Sequence, residues 1–187
     1  APTVETALEL TTFLEDRDDA PRTSRFTGSL TERLFPANRW SAGLVLGYDR
    51  NDELDLAGRA RLVGFGTRTL TQSNQAELRA SAGLVLIREE YFSTDSTTGG
   101  VEGLLATAFR AFRYDHPKLD GYVSVQAFPS LSIQGRVRLQ ADLRLSYELV
   151  EDFMLTGTVF DSYDSKPQAA GAEKNDFGTT LAITWTF

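Results

Sequence analysis

The sequence predicts an all-β chain, a single domain over residues 1–187 folded as a closed up-and-down antiparallel transmembrane β-barrel of about ten strands. Three observations carry that expectation. Side chains alternate strictly between apolar and polar, the alternating stretches exceed the usual strand length of soluble sheets, and the connections between them alternate between short and long.

The alternation is clearest from Arg136 to Leu149, where every odd position is apolar and every even position polar over fourteen residues. A period of two puts one set on each face of a strand, whereas a helix would spread both around its circumference. The same pattern gives strands at Thr3 to Leu14, Ser24 to Leu34, Trp40 to Tyr48, Leu54 to Gly66 and Gln75 to Arg88. It continues at Val101 to Tyr114, Gly121 to Leu131, Arg136 to Leu149, Phe153 to Tyr163 and Phe177 to Phe187. Most match the roughly nine to eleven residues with which a tilted strand crosses a bilayer.

Short links fall at Phe35 to Arg39, Asp115 to Lys118 and Val150 to Asp152, with a somewhat longer one near Thr69 to Asn74. Long polar stretches fall at Glu15 to Thr23, Glu89 to Gly100 and Asp164 to Asp176. Outer-membrane barrels have short periplasmic turns and longer external loops, so the rhythm predicts a bacterial outer-membrane location with both termini periplasmic.

Each strand presents one apolar face, as in Trp40, Ala42, Leu44, Leu46 and Tyr48, or Leu54, Leu56, Ala60 and Leu62, or Ala76, Leu78, Ala80, Ala82, Leu84 and Leu86. Lipid is the expected partner of this face. The opposite face carries Arg59, Arg61, Glu77, Arg79, Arg110, Arg136, Arg138, Asp142, Arg144 and Glu148, joined by Glu5 and Glu9. That is too much charge to bury around an apolar ligand, so these residues are expected to line a polar lumen. An eight-stranded barrel is just filled by side chains, so about ten strands should be nearly filled. Two roles stay open for the network, a structural plug of ion pairs and a narrow path for ions or small solutes. Glu32, Thr107 and Arg113 interrupt the apolar pattern, and the lipid-facing expectation weakens if they point outward near the midplane. Aromatics near strand ends, among them Trp40, Tyr48, Tyr147, Tyr163, Trp185 and Phe187, are candidates for interfacial girdles.

Composition excludes several classes. A net charge of -7 argues against nucleic acid held by charge, and zero cysteine removes disulfides, thiolate metal sites and thiol nucleophiles. No apolar run approaches the roughly 18 residues of a spanning helix. The opening Ala1-Pro2-Thr3 is compatible with the start of a mature exported chain.

In the last strand Phe177, Thr179, Leu181, Ile183, Trp185 and Phe187 alternate with small or hydroxyl residues. Its apolar members Phe177, Leu181, Ile183, Trp185 and the final Phe187 resemble the outer-membrane assembly signal, which implies the barrel-assembly machinery as a partner. Leu145-Ser146-Tyr147, the run Asp161 to Pro167, Glu173 to Asp176, Arg88 to Tyr91 and Phe128 to Leu131 together resemble the salt-induced outer-membrane proteins. That family has no known function, and the likeness covers roughly the C-terminal two thirds. It implies a barrel and a location, and brings no catalytic residues.

The lone histidine, His116, lies in Asp115-His116-Pro117-Lys118 and is expected to be part of a polar turn. Barrel proteases and phospholipases place their histidine at the outer end or beside a serine, so no catalytic residue is assigned and the chain is not expected to be an enzyme. Acidic residues cluster at Asp16, Asp18 and Asp19, at Asp49, Asp52, Glu53 and Asp55, at Glu89, Glu90 and Asp95, and from Asp161 to Asp176. Asp16, Asp18, Asp19, Asp52, Glu53 and Asp55 are candidates for a cation-binding outer rim that bridges lipopolysaccharide phosphates. None has the spacing of a dedicated calcium loop, and solvated loops are the preferred reading, so no metal or cofactor is assigned. The role expected is structural or stress-related in the envelope. The alternatives are a barrel that packs against partner proteins, or a soluble barrel for a small ligand.

Overall fold

The structure is a computed structural model that describes residues 3–17, 20–51, 56–92, 97–151, 153–167 and 174–185. Ten strands form one sheet: β1 (Thr3–Arg17), β2 (Ala20–Ala37), β3 (Trp40–Asn51), β4 (Leu56–Gln72), β5 (Ala76–Tyr91), β6 (Thr97–Arg113), β7 (Leu119–Pro129), β8 (Val137–Val150), β9 (Phe153–Asp164) and β10 (Asn175–Trp185). Their order in the sheet is their order in the chain, and the ladders between β1, β2 and β3 and from β6 through β10 are antiparallel. Among the described residues no helix is long and apolar enough to cross a membrane.

Every expected strand is present, and several run further than alternation alone predicted. The ladder of β1 and β2 continues through Glu15↔Thr23 to Arg17↔Ala20, so most of the polar stretch Glu15 to Thr23 is strand. Likewise β5 runs to Tyr91 and β6 starts at Thr97, inside the stretch expected as a loop from Glu89 to Gly100. Pairing is a main-chain property, and polar side chains signal water on both faces, not the end of a ladder.

Closure differs from expectation. β1 and β10 are the two ends of the strand order, and among the described residues no ladder joins them, so the sheet is not closed into a barrel. Closing a sheet requires its first and last strands to meet at a fixed stagger, a long-range relationship that alternation within a strand does not encode.

Two compact units divide the chain. One comprises Ala1–Gly66, Gly83–Gly103 and Leu131–Ile133, and the other Thr67–Ala82, Leu104–Ser130 and Gln134–Phe187. In the first, Leu8, Leu30, Leu44, Leu46, Leu62, Leu84 and Leu86 are exposed, while Val85 and Glu89, at odd positions of β5, are buried. In the second, Leu105, Val123, Val125, Leu139, Leu143, Leu145, Leu181 and Ile183 are exposed, while Ser124, Phe128 and Glu148 are buried. Among the described residues 34 large apolar side chains are exposed and four are buried.

Glycines admit aromatic rings at two positions on the polar face. A Cβ on Gly43 would lie 2.7 Å from Phe65 Cζ, and a Cβ on Gly178 would collide with the ring of Phe160. The missing side chain on one strand is thus replaced by an aromatic from its neighbourhood, which covers the bare main chain.

Candidate functional site: the charged face

The residues expected to form the charged network all fall on the face opposite the exposed apolar set or, for Arg136, just before β8 begins. They are joined mostly to neighbouring strands, in local groups. In the first unit Arg59 Nε donates to Glu89 Oε1 at 2.7 Å, and the Glu89 side chain is only 7% exposed. Arg61 Nη2 donates to Asp49 Oδ1 at 3.3 Å, and its Nε lies 3.1 Å from Oδ2. Arg33 lies 3.9 Å from Glu5, its partner across the β1–β2 ladder, and its guanidinium stands over the Phe65 ring. Asp49 and Glu89, which the sequence places in clusters of acidic residues, therefore belong to the charged face.

In the second unit, Arg79 Nη2 donates to Glu77 Oε2 at 2.7 Å on the same strand. Arg110 donates through Nε and Nη2 to Asp120 Oδ2 at 2.8 and 2.5 Å. Arg144 Nη2 lies 3.7 Å from the other oxygen of the same carboxylate. The Ser124 hydroxyl donates to Asp142 at 3.2 Å. Five of the ten expected residues, Glu77, Arg79, Arg110, Asp142 and Arg144, line a single recess of about 450 Å³ together with Ala108 and Tyr122.

The three other expected members of the second unit stand apart from that recess. Arg138 places its guanidinium 5.1 Å above the Phe128 ring. Arg136, which is 11% exposed, pairs with Asp164 at 2.6 Å beside the β9–β10 connection. Burial works against the Asp164 charge, but hydrogen bonds from Arg136 and from the Lys166 backbone N–H outweigh it and hold the carboxyl below its ordinary pKa. Glu148 lies near the end of β8 and accepts the Lys118 backbone N–H, with Lys118 Nζ 3.0 Å and His116 Nδ1 2.9 Å away. His116 is therefore tied to a strand end by a carboxylate, a contact its sequence neighbours do not announce.

Sequence reasoning missed Asp120, Tyr122 and Ser124, although they share the two-residue parity of β7. It also missed Glu102, a buried residue of β6. Of the candidate cation rim, Asp18, Asp19, Asp52, Glu53 and Asp55 lie outside the described residues, and Asp16 falls at a register irregularity of β1 between Glu15 and Arg17. Among the described residues no three His, Cys, Asp or Glu side chains are grouped to hold a metal. In β10, Phe177, Leu181, Ile183 and Trp185 are all more than 60% exposed on one face, and Phe187 lies outside the described residues.

A family model described as "Protein of unknown function, DUF481" matches residues 2–187. The chain belongs to this family. The DUF481 match includes the first forty residues, which the resemblance noted above did not reach, and its description carries neither a salt-induced role nor a location. No curated protein and no solved structure matches the chain. For this DUF481 member the chemistry of the charged and apolar faces is what a functional reading rests on.

Proposed function

We propose that the chain is an integral β-barrel protein of the bacterial outer membrane, with a structural or stress-related envelope role. The observation that carries this reading is the inverted side-chain distribution, with apolar residues exposed on one face of the strands and paired charges on the other. Lipid stabilises an exposed apolar face that water does not, and a charged face needs a lumen. Exposed aromatics stand near strand ends as interfacial anchors do: Trp40, Tyr147 and Trp185 toward the short turns, Tyr48 and Tyr163 toward the long loops. The short turns face the periplasm, the long loops meet lipopolysaccharide, and β10 engages the assembly machinery. The ion pairs fill the lumen and leave at most a narrow path for ions or small solutes.

A second reading, a barrel packed against partner proteins, has two observations in its favour. Glu32 is exposed on the apolar side in register with Leu44, four residues along β3 from Trp40. Asp161 lies between Ala141 and Phe177 in the ladders, with a buried carboxylate oxygen that lacks a hydrogen-bond partner. Of the other expected interruptions, Thr107 donates its hydroxyl to Arg79 O and Arg113 donates to Pro117 O at the turn.

The deciding experiment is refolding into lipid vesicles, with flotation, heat-modifiable gel mobility and single-channel recording on one preparation. Flotation with a heat-shifted band supports the membrane barrel. Discrete conductance steps then favour the narrow path and a silent barrel the plug. A folded chain that stays out of vesicles overturns the proposal in favour of protein packing.

A further inference from the structure

We propose that a recess on the apolar face of β1 to β5 seats one hydrocarbon chain of an anionic membrane lipid, with Arg88 holding the headgroup; this rests on the membrane reading above. The recess has a volume of about 540 Å³ and lies wholly within the first compact unit. Its floor carries one exposed leucine from each strand, Leu8, Leu30, Leu46, Leu62 and Leu86. Leu8, Leu30 and Leu46 stand in one cross-strand row, and Leu10, Gly28 and Tyr48 form the next row toward the long loops. Gly28 and Ala60 project least from this face and give the recess its depth, while the Tyr48 ring reaches over Gly58 on β4.

The chemistry of the wall selects the guest. Each of β2 to β5 is hydrogen-bonded to a neighbour on both sides, so the main chain here is committed to the sheet. A peptide or sugar lying on the leucines would give up water and gain few hydrogen bonds, a cost that a hydrocarbon chain does not carry. One end of the recess is cationic. Arg88 is the one charged residue of its lining on the leucine side of the strands, no carboxylate lines it, and the Arg88 side chain is 69% exposed. Its partner Glu90 stands two residues along the same strand at 3.4 Å, longer than the roughly 2.7–2.9 Å of a charge-assisted hydrogen bond. Past Tyr48, Arg50 adds a guanidinium stacked over the Phe92 ring. Glu32, on the same face, pairs with Leu44 one row beyond the leucines on the turn side, away from this end. A guanidinium fork grips a phosphate on two oxygens, so the arrangement fits a lipid whose phosphate sits at the long-loop end and whose chain lies on the leucines.

The test uses the full chain refolded into vesicles of equal parts phosphatidylcholine and phosphatidylglycerol. Flotation reports insertion, and native mass spectrometry of the floated protein identifies retained lipid. The wild-type chain should retain one phosphatidylglycerol in preference to phosphatidylcholine. Arg88→Gln should lower that preference about tenfold, as expected for loss of a charge-assisted hydrogen bond. Arg113→Gln, which removes the same charge at the short-turn end of β6, should leave it unchanged. Ala60→Leu fills the recess and should lose the retained lipid of either kind, whereas Ala42→Leu, the same addition on β3 outside the recess, should keep it. If Ala60→Leu does not fold, the two arginine variants carry the test. A floated chain with no preference for phosphatidylglycerol overturns the lipid seat and leaves the membrane reading standing, as do equal effects within either pair of variants. A chain that does not float overturns both.

Discussion

The Glu148 carboxylate, 1% exposed, accepts the Lys118 backbone N–H at 2.7 Å and so fastens the β6–β7 connection to the end of β8. That main-chain N–H contributes most to the preference for the ionised carboxylate. Burial opposes it, and hydrogen bonds from the Lys118 ammonium and His116 add to it. Together they bring the pKa from an ordinary 4.5 down to about 2. Glu148 lies beyond Tyr147 on β8, at the level of the turns.

A carboxyl whose folded pKa is depressed stabilises the fold above its unfolded pKa, and that contribution is lost as pH falls through the folded value. For Glu148 the window runs from 4.5 down to about 2. The urea midpoint of the refolded chain should therefore fall across that window. Glu148→Gln should begin with a thermal midpoint a few degrees lower at neutral pH and show a shallower decline. Other carboxyls titrate there too, so the difference between the two curves is the readout, and parallel curves refute the role.

The contact of Gly178 with Phe160 makes a second expectation. All three of the nearest atoms to a Cβ at Gly178 belong to the Phe160 ring, so the obstruction has one source. Gly178→Ala should destabilise by about 1–3 kcal/mol through overpacking. Phe160→Leu in the same chain should recover much of that loss, giving a coupling energy in a double-mutant cycle. Strictly additive effects would remove Phe160 as the cause.

Arg59 and Glu89 test whether the charge pairs hold one another in place. Arg59→Met leaves a nearly buried carboxylate without the guanidinium 2.7 Å away, and should lower stability by about 1–3 kcal/mol. Adding Glu89→Gln removes the buried charge and should restore part of that loss. A double variant as unstable as the sum of the singles would mean that the two side chains act independently.

Strand positions and faces were legible because the signal is local. From Arg136 to Leu149 each residue states its own face, and the structure keeps that parity from Val137 to Leu149. Which acid meets which base was not legible, because partners are chosen by register between strands. Asp49 and Glu89 sit among other acids in the sequence and look like loop residues, yet ladder position brings them to Arg61 and Arg59. Asp120 was hidden for a similar reason. It precedes Gly121 at a strand start, and only pairing of β7 with both neighbours shows that it serves two arginines. His116 and Glu148 are 32 residues apart, a separation across which no periodic pattern carries information.

The apolar face yields the sharpest test of its surroundings. Leu143 is exposed in mid-strand, flanked in the ladders by Val123 and Val159, whereas Leu149 is exposed at the turn end of β8. In hydrocarbon, an arginine at mid-depth costs about 2–4 kcal/mol and one near the interface about 0–1 kcal/mol. In water an exposed leucine tolerates arginine at either place. Leu143→Arg should therefore lower the urea midpoint in vesicles far more than Leu149→Arg, and the gap should shrink where the face is wetted. Equal, small effects in vesicles would mean that mid-strand β8 does not face hydrocarbon, while a large effect at both positions would point to a protein partner covering the strand to its end.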